Sequence, residues 1–170
     1  MITRLAEREL TTRFGVFNEI LYYNGRAEAI ALVIGDVSGG EDVLCRVHSA
    51  CLGGHVFNST ECGCAGEMAA AQQAISLAGR GVIIYLDQEG RGNGHLALIK
   101  SIPFKKGGHS QDEAYEMAGF DADARSYRPA ADILVDLGIR SVVLLTNNPK
   151  KAGDLRRFSI TVSDTLELKL

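Results

Sequence analysis

The hydrophobic pattern of this 170-residue chain changes its period near Cys64, and that change limits the folds open to it. Before Cys64, β-branched and aromatic residues cluster in Phe14–Tyr23 and apolar residues in Ala29–Ile34, which predicts two strands. The Asn24-Gly25 pair between them is typical of a two-residue hairpin turn. Asp42–Ser49 predicts another strand, so we expect this part of the chain to be antiparallel.

After Cys64 the apolar residues recur at helical spacing, which predicts an amphipathic helix through Met68, Ala71, Ile75 and Ala78, with Gly79 just past its end. The later predicted elements are a buried strand at Gly81–Leu86, a short helix at Leu96–Ile99, a break around Pro103 and Gly107-Gly108, helices at Ser110–Ala118 and Pro129–Leu137, and a strand at Ser141–Thr146. The sequence therefore predicts a mixed α/β fold. We expect antiparallel strands followed by strand–helix alternation, in one domain spanning residues 1–170.

The charge pattern excludes some classes of partner. The 18 basic and 21 acidic residues give a net charge of −3 and are mixed along the chain, so no basic stripe is available for a nucleic acid. The amino terminus has no apolar stretch of signal-peptide length, and the longest apolar runs are too short to cross a bilayer. We expect a cytoplasmic protein with neither a nucleic-acid nor a membrane partner.

Three of the four cysteines lie close together in the pattern Cys51-x10-Cys62-x-Cys64, in a loop just before the predicted helix. Thiols stay reduced in the cytosol, so a disulfide framework is not expected. Zinc binds cysteine thiolates, and a catalytic zinc site keeps three protein ligands with a fourth position open for water. The spacing therefore favours a catalytic zinc centre.

Other interpretations of the cysteines remain open at this point. His55 lies inside the same loop and would convert the centre into a closed structural site if it were a fourth ligand. Small buried cysteines with no ligand are also common in protein cores. Cys45 fits that last description, because it shares a strand face with Val43 and Val47.

Two polar segments follow predicted strands. The glycine-rich Gln88–Gly94 lies after Gly81–Leu86, at the end of a strand where open α/β sheets bind ligands. Thr146–Lys151 leads from a strand into a helix whose N-cap is Asn147 or Asn148, and its free N–H groups and lysines suit a phosphate. A solvated turn and an ordinary capped helix are the respective alternatives.

Asp123 and Arg125 lie two residues apart in an irregular segment. They suit an acid/base group and a cation that face a ligand, although charged loop residues are commonly just solvated. Glu67 near the start of its helix is favourable there for the helix dipole alone.

Taken together, these segments resemble the GTP cyclohydrolase II family over about Arg46–Lys151, in the same order and at nearly the same spacing. The resemblance implies that Cys51, Cys62 and Cys64 bind zinc, that Asp123 is a proton acceptor and that Arg125 is a nucleophile. It further implies that the nucleotide is contacted by Arg46, His48, Ser49, Glu67, Glu89, Gly90, Arg91, Thr146 and Lys151.

The implied chemistry is the hydrolytic opening of the imidazole ring of a purine nucleotide, with GTP as the default substrate. Zinc would activate water for attack at C8, and formate and pyrophosphate would be released. Mg²⁺ would be shared among the substrate phosphates. The resemblance also implies a place in riboflavin biosynthesis and a homodimer.

The chain departs from the family pattern at several positions. Ala50 and Glu67 stand where the family has Glu and Gln, Leu86-Asp87 where it has His-Arg, and Asn93 where it has Ile; its catalytic tyrosine has no counterpart near Ile102–Phe104. These differences keep two alternatives open. The first is the same chemistry on another purine nucleotide or heterocycle, and the second is a nucleotide-binding zinc protein without catalysis.

Overall fold

One mixed β-sheet of seven strands organises the computed structural model, which describes residues 2–168. The strands are β1 (Thr3–Thr12), β2 (Gly15–Tyr23), β3 (Glu28–Ile34), β4 (Val43–Ser49), β5 (Gly81–Leu86), β6 (Ser141–Leu145) and β7 (Thr161–Leu166). The helices are α1 (Leu52–His55), α2 (Cys64–Ala78), α3 (His95–Lys106), α4 (Gln111–Met117), α5 (Arg128–Asp136) and α6 (Pro149–Arg157), and a short 3-10 helix spans Glu89–Gly92. The mixed α/β class is thus confirmed.

The strand order is β1-β2-β3-β5-β4-β6-β7. The strands β1, β2 and β3 pair antiparallel, as expected for the first part of the chain, and β5 also pairs antiparallel with β3. The expectation was wrong for β4, which lies between β5 and β6 and runs parallel to both. The reason is that α2 connects β4 to β5 as a crossover, and such a connection joins parallel strands.

The two faces of the sheet are covered by different helices. On one face, Val43, Cys45 and Val47 of β4 join a core cluster with α5 and α6, and Cys45 is fully buried as predicted. On the other face, Ala71 and Ile75 of α2 pack in a smaller cluster. Because side chains alternate along a strand, Arg46 and His48 point to the α2 side.

Local signals in the sequence set most element ends. Helix α2 ends before Gly79, whose φ of 68° is the left-handed conformation typical of a glycine cap. Helix α4 begins with a capping box between Ser110 and Glu113. The β2–β3 turn is longer than predicted, because the Asn24 side chain accepts hydrogen bonds from the N–H groups of Arg26 and Ala27.

The predicted break was wrong at Pro103, because α3 continues through this proline to Lys106. It was correct at Gly107 and Gly108, where the helix ends and Gly108 has a φ of 95°. Among residues 2–168, no helix combines the length and apolar character needed to cross a membrane.

Candidate active site and metal centre

The three cysteines of the predicted metal loop converge between the end of β4 and the start of α2. The Sγ atoms of Cys51 and Cys62 are 3.6 Å apart, and the three sulfur atoms, with that of Cys64, all lie within 4.8 Å of one another. A tetrahedral zinc ion with Zn–S bonds of about 2.3 Å needs sulfur ligands about 3.8 Å apart. The cluster therefore has the donor set and the spacing that a metal ion requires.

Gly54 lies against the sulfur atoms of this cluster. A methyl group added at Gly54 would lie 3.2 Å from Cys62 Sγ and 3.4 Å from Cys51 Sγ. The backbone N–H of Gly54 also donates to Cys51 Sγ at 3.4 Å. A side chain at this position would require Cys62 Sγ to shift by a few tenths of an ångström, so glycine suits the close approach of the sulfurs.

The thiols do not share one environment. Burial, followed by the neighbouring thiols, raises the pKa of Cys64 well above its ordinary value. Burial also acts to raise the pKa of Cys62, but hydrogen bonds from the Cys64 backbone N–H and from the other thiols outweigh it and lower that pKa. Cys62 is therefore the thiol that most readily becomes the thiolate that metals bind.

His55 does not take the place of a fourth ligand. Its Nδ1 accepts a hydrogen bond from the backbone N–H of Cys51 at 3.3 Å, and its Nε2 lies 3.0 Å from Nε2 of His48. In the described residues, the side chains that group around a common metal position are the three cysteines alone. The arrangement favours an open fourth position over a closed structural site.

The Arg46 side chain links helix α2, which carries Cys64, to strand β6. The side chain is buried, and it donates to the Leu145 carbonyl at 3.0 Å and to Glu67 Oε2 at 2.5 Å. Glu67 lies one turn after Cys64 on α2, so the two point along the same side of that helix. Arg46 NH2 also lies 3.4 Å from Nδ1 of His48, while its Nε has no partner in the part of the chain described.

His48 and Ser49 complete the end of β4. Burial, and then the charge of Arg46, lowers the pKa of His48 to about 3, so this imidazole is neutral at physiological pH. The hydroxyl of Ser49 is shielded from solvent and lacks a hydrogen-bond partner among residues 2–168. It is therefore a buried polar group whose hydrogen bonds the described part of the chain does not satisfy.

The segment before α6 adopts the predicted strand-to-helix turn. Asn148 is the N-cap, and its side chain accepts from the N–H of Lys150 at 3.0 Å. The hydroxyl of Thr146 accepts from the N–H of Asn148 at 3.0 Å and is buried. Lys151 is also buried and donates to the Val47 carbonyl at 2.9 Å; burial, then Arg46 and Arg125, lowers its pKa to about 8.

Asp123 and Arg125 form a bidentate ion pair. Arg125 donates from Nε to Oδ1 at 2.9 Å and from NH2 to Oδ2 at 2.8 Å, and Lys150 of α6 adds a contact to Oδ2 at 3.2 Å. Burial opposes ionisation of Asp123, but Arg125 and Lys150 hold its pKa well below the usual range. The same pairing raises the pKa of Arg125, so both groups are charged in the free protein.

The glycine-rich loop lies at the carboxyl end of β5, as predicted. Glu89 accepts hydrogen bonds from the backbone N–H of Leu52 at 2.5 Å and of Gly90 at 3.0 Å, which joins the loop to the start of α1. Arg91 adopts a left-handed φ of 57°. Its guanidinium donates to Asp112 of α4 and to the Ala122 carbonyl.

Some positions that depart from the family pattern lie away from this cluster. Asp87 lines a separate cavity of about 310 Å³ together with Asn24 and Arg26, so it does not join the cysteine and arginine groups. Asn93 donates to the Asp121 carbonyl at 2.9 Å and thereby ties the loop to the segment before Asp123. Sequence reasoning missed the contacts of Lys150 and Asp112, although Lys150 belongs to the motif that drew attention to α6.

The three-cysteine centre on this mixed α/β fold agrees with membership of a family of hydrolases. Residues 3–167 match the family described as GTP cyclohydrolase II, and the chain belongs to that family.

Particular relatives are the "Riboflavin biosynthesis protein RibBA" of Bacillus cereus ATCC 14579, which is 45% identical over 172 residues, and that of Bacillus mycoides KBAB4, at 44%. Each alignment covers 100% of this chain and 43% of the relative, so the chain spans less than half the length of the relatives that it matches.

A solved structure shares the fold. It is that of RibBX, described as a two-domain 3,4-dihydroxy-2-butanone 4-phosphate synthase from A. baumannii, with a TM-score of 0.55 and 17% sequence identity. The match covers 99% of this chain and 40% of that one. At this identity the likeness concerns the fold alone.

Proposed function

We propose that this protein opens the imidazole ring of a purine nucleotide by zinc-dependent hydrolysis and releases formate. GTP is the default substrate that family membership suggests, with pyrophosphate as a second product and riboflavin biosynthesis as the pathway. The observation that carries the proposal is the convergence of the three cysteine sulfurs above Gly54. Glu67, which accepts a hydrogen bond from Arg46, lies one helical turn from Cys64.

Cys51, Cys62 and Cys64 would hold the zinc ion, and the fourth position would remain for solvent. When bound, zinc supplies a Lewis acid that makes a reactive hydroxide available near neutral pH. His55 holds the backbone of Cys51 and contacts His48, so the two imidazoles support the metal loop from the sheet side. The metal loop is thus held in place from both the sheet and the glycine-rich loop.

Lys151, Thr146 and Ser49 are the candidates for contacts with the nucleotide. Lys151 provides a buried cation beside the first turn of α6, and Ser49 provides a hydroxyl without a partner in residues 2–168. Mg²⁺ would bind through substrate phosphate oxygens, since few protein groups usually hold it in such complexes. Arg46, Glu89, Gly90 and Arg91 surround the same region and are proposed to orient the base and the sugar phosphate.

Asp123 and Arg125 are proposed to act as a unit on the reacting nucleotide. The bidentate pairing uses Nε and NH2 of Arg125, which leaves its NH1 group to face a substrate oxygen. Asp123 is ionised in the free pair, but its low pKa makes it a weak base until a substrate group draws Arg125 or Lys150 away from it. Substrate binding would thus prepare the acid/base step.

Formate release tests the proposal. Zinc-loaded protein incubated with guanine nucleotides and Mg²⁺ should release formate, and Cys51→Ser, Cys62→Ser and Cys64→Ser should each lose both zinc and turnover. Cys45→Ala is the matched control, since Cys45 is buried in the core away from this cluster and should keep stoichiometric zinc. Full turnover in any of the three serine variants would contradict the proposal.

We also propose that the protein is a homodimer and is cytoplasmic, because it belongs to this family. Sedimentation equilibrium at micromolar concentration tests the first. A mass of one chain at all concentrations would contradict it.

A further inference from the structure

The aromatic ring of Tyr127 contacts two cations of the candidate site. Tyr127 is 2% exposed and belongs to the core cluster that the sheet forms with α5 and α6. The guanidinium carbon of Arg125 and the ammonium nitrogen of Lys151 each lie over this ring, 6.0 Å from its centroid. One buried ring is therefore shared by two positively charged side chains.

The two cations come from separate parts of the chain. Arg125 lies two residues before Tyr127, in the irregular segment that leads into α5, and Tyr127 is the N-cap of that helix. Lys151 lies in the first turn of α6. The helices α5 and α6 contact each other and contribute to the same core cluster. The ring thus links the position of the Arg125 segment to that of α6.

The ring, and not the hydroxyl group, makes these contacts. The Tyr127 hydroxyl is shielded from solvent and has no hydrogen-bond partner among residues 2–168. Arg125 donates its hydrogen bonds to Asp123, and Lys151 donates to the Val47 carbonyl. Attraction through the aromatic face is therefore the interaction that joins Tyr127 to both cations.

This attraction opposes the repulsion between the two like charges. Burial, and then the charges of Arg46 and Arg125, lower the pKa of Lys151, which shows that its environment disfavours a cation. The negative face of an aromatic ring favours a cation, most strongly where water is excluded. Burial also raises the pKa of the Tyr127 phenol, so the side chain stays neutral and acts through its ring.

We propose that Tyr127 is a positioning residue whose ring holds Arg125 and Lys151 at the separation at which both contact the phosphate chain of the substrate. The inference rests on the proposed function, in which these two cations contact the nucleotide. It adds a residue that the substrate does not touch. Cations that are held in place before the substrate arrives bind an anion with a smaller loss of side-chain freedom.

Calorimetric titration of inorganic pyrophosphate into zinc-loaded protein, at constant free Mg²⁺ and ionic strength, tests this role. Tyr127→Phe keeps the ring and should bind pyrophosphate within about twofold of the native affinity. Tyr127→Leu removes the ring and should bind about tenfold more weakly.

Tyr22→Leu is the matched control. Tyr22 is a fully buried tyrosine of the same core cluster, but it lies on β2 and its contacts are with Arg4 and Asp136. This variant should lose stability, as Tyr127→Leu does, and should keep the native affinity for pyrophosphate. An equal loss of affinity in the two leucine variants would show that Tyr127 acts only through the core and would overturn the inference.

Pentafluorophenylalanine at position 127 provides a second test, which also serves if Tyr127→Leu does not fold. It keeps the shape of the ring and reverses the sign of its quadrupole, so pyrophosphate binding should weaken as far as in Tyr127→Leu. Native affinity with the fluorinated ring would overturn the inference. A loss in Tyr127→Phe as large as that in Tyr127→Leu would do the same, as would native protein that does not bind pyrophosphate.

Formate release, measured in parallel, separates this inference from the proposed function. If zinc-loaded native protein releases no formate from any guanine nucleotide, the proposed function fails, and the pyrophosphate affinities still decide the role of Tyr127. If formate is released but the affinities do not depend on the ring at position 127, the inference alone fails.

Discussion

The ammonium group of Lys150 lies 3.2 Å from Oδ2 of Asp123, and this ion pair joins the first turn of α6 to the irregular segment that carries Arg125. Asp123 thus receives two cations, one from its own segment and one from a helix that follows β6. The contact places the carboxylate next to the proposed phosphate site. Lys150, in the Thr146–Lys151 motif, thus has an ion-pair partner.

Lys150→Gln should lower formate release by no more than about fivefold, because Lys150 is half exposed and an exposed ion pair contributes up to about 1 kcal/mol. Removing this cation raises the pKa of Asp123 towards its ordinary value. The ionised form needed for activity is then lost at a higher pH, so the acidic limb of the pH–rate profile should move upwards. Lys100→Gln, at an exposed position of α3, should leave that limb unchanged.

Nucleotide affinity should fall as the pH rises through about 8, the pKa to which burial, Arg46 and Arg125 lower Lys151. Lys151 is charged below this pH and neutral above it, and only the charged form attracts a phosphate. A bound phosphate favours the charged form, so binding above pH 8 should take up a proton. Calorimetry in buffers of different ionisation enthalpy measures that uptake. Lys151→Arg, which does not titrate in this range, should abolish it, and uptake that persists in the variant would contradict the assignment.

Gly54→Ala should weaken zinc binding by at least about tenfold, since the added methyl group must push the sulfurs of Cys51 and Cys62 apart and overpacking costs about 1–3 kcal/mol. Competition with a chromophoric chelator measures the affinity. Gly53→Ala is the matched control, because its methyl group would meet Ser59 at an ordinary 3.6 Å. Equal zinc affinity in the two variants would show that Gly54 has no special role.

Tyr22→Phe should reduce the free energy of unfolding by about 1 kcal/mol, the usual contribution of one hydrogen bond. The Tyr22 hydroxyl donates to Asp136 Oδ2 at 2.7 Å and so links β2 to α5, and burial, then this hydrogen bond, raises the pKa of the phenol. Urea denaturation measures the change. Tyr23→Phe, one residue further along β2 and largely exposed, should change stability by a few tenths of a kcal/mol at most.

The elements defined by local signals were predictable from the sequence. The strand Gly81–Leu86 has the predicted bounds, because a continuous apolar run flanked by glycine and by charged residues specifies a buried strand without help from the rest of the chain. The convergence of Cys51, Cys62 and Cys64 was also predictable, since two of them are separated by a single residue and the third lies in the same loop.

What depends on distant contacts was not predictable. The parallel position of β4 follows from β5 returning to the sheet beside it, which no pattern within Val43–Ser49 reveals. The pairing of Arg46 with Glu67 and of Arg91 with Asp112 each joins residues 21 positions apart. Charged residues at such separations give no periodic signal in the sequence. The pairing of these arginines with nearby carboxylates is therefore revealed only by the structure.

The seven residues of strand β4 contribute both to the hydrophobic core and to the candidate site. Val43, Cys45 and Val47 pack in the core, while Arg46 and His48 lie on the opposite face, where we propose that they contact the nucleotide. A substitution that loosens the packing of these core residues would therefore also move Arg46 and His48. Core packing and the position of the two polar side chains cannot be changed independently along β4. Exposed polar side chains on α2, α4 and the connecting loops can instead be exchanged without disturbing these packed positions.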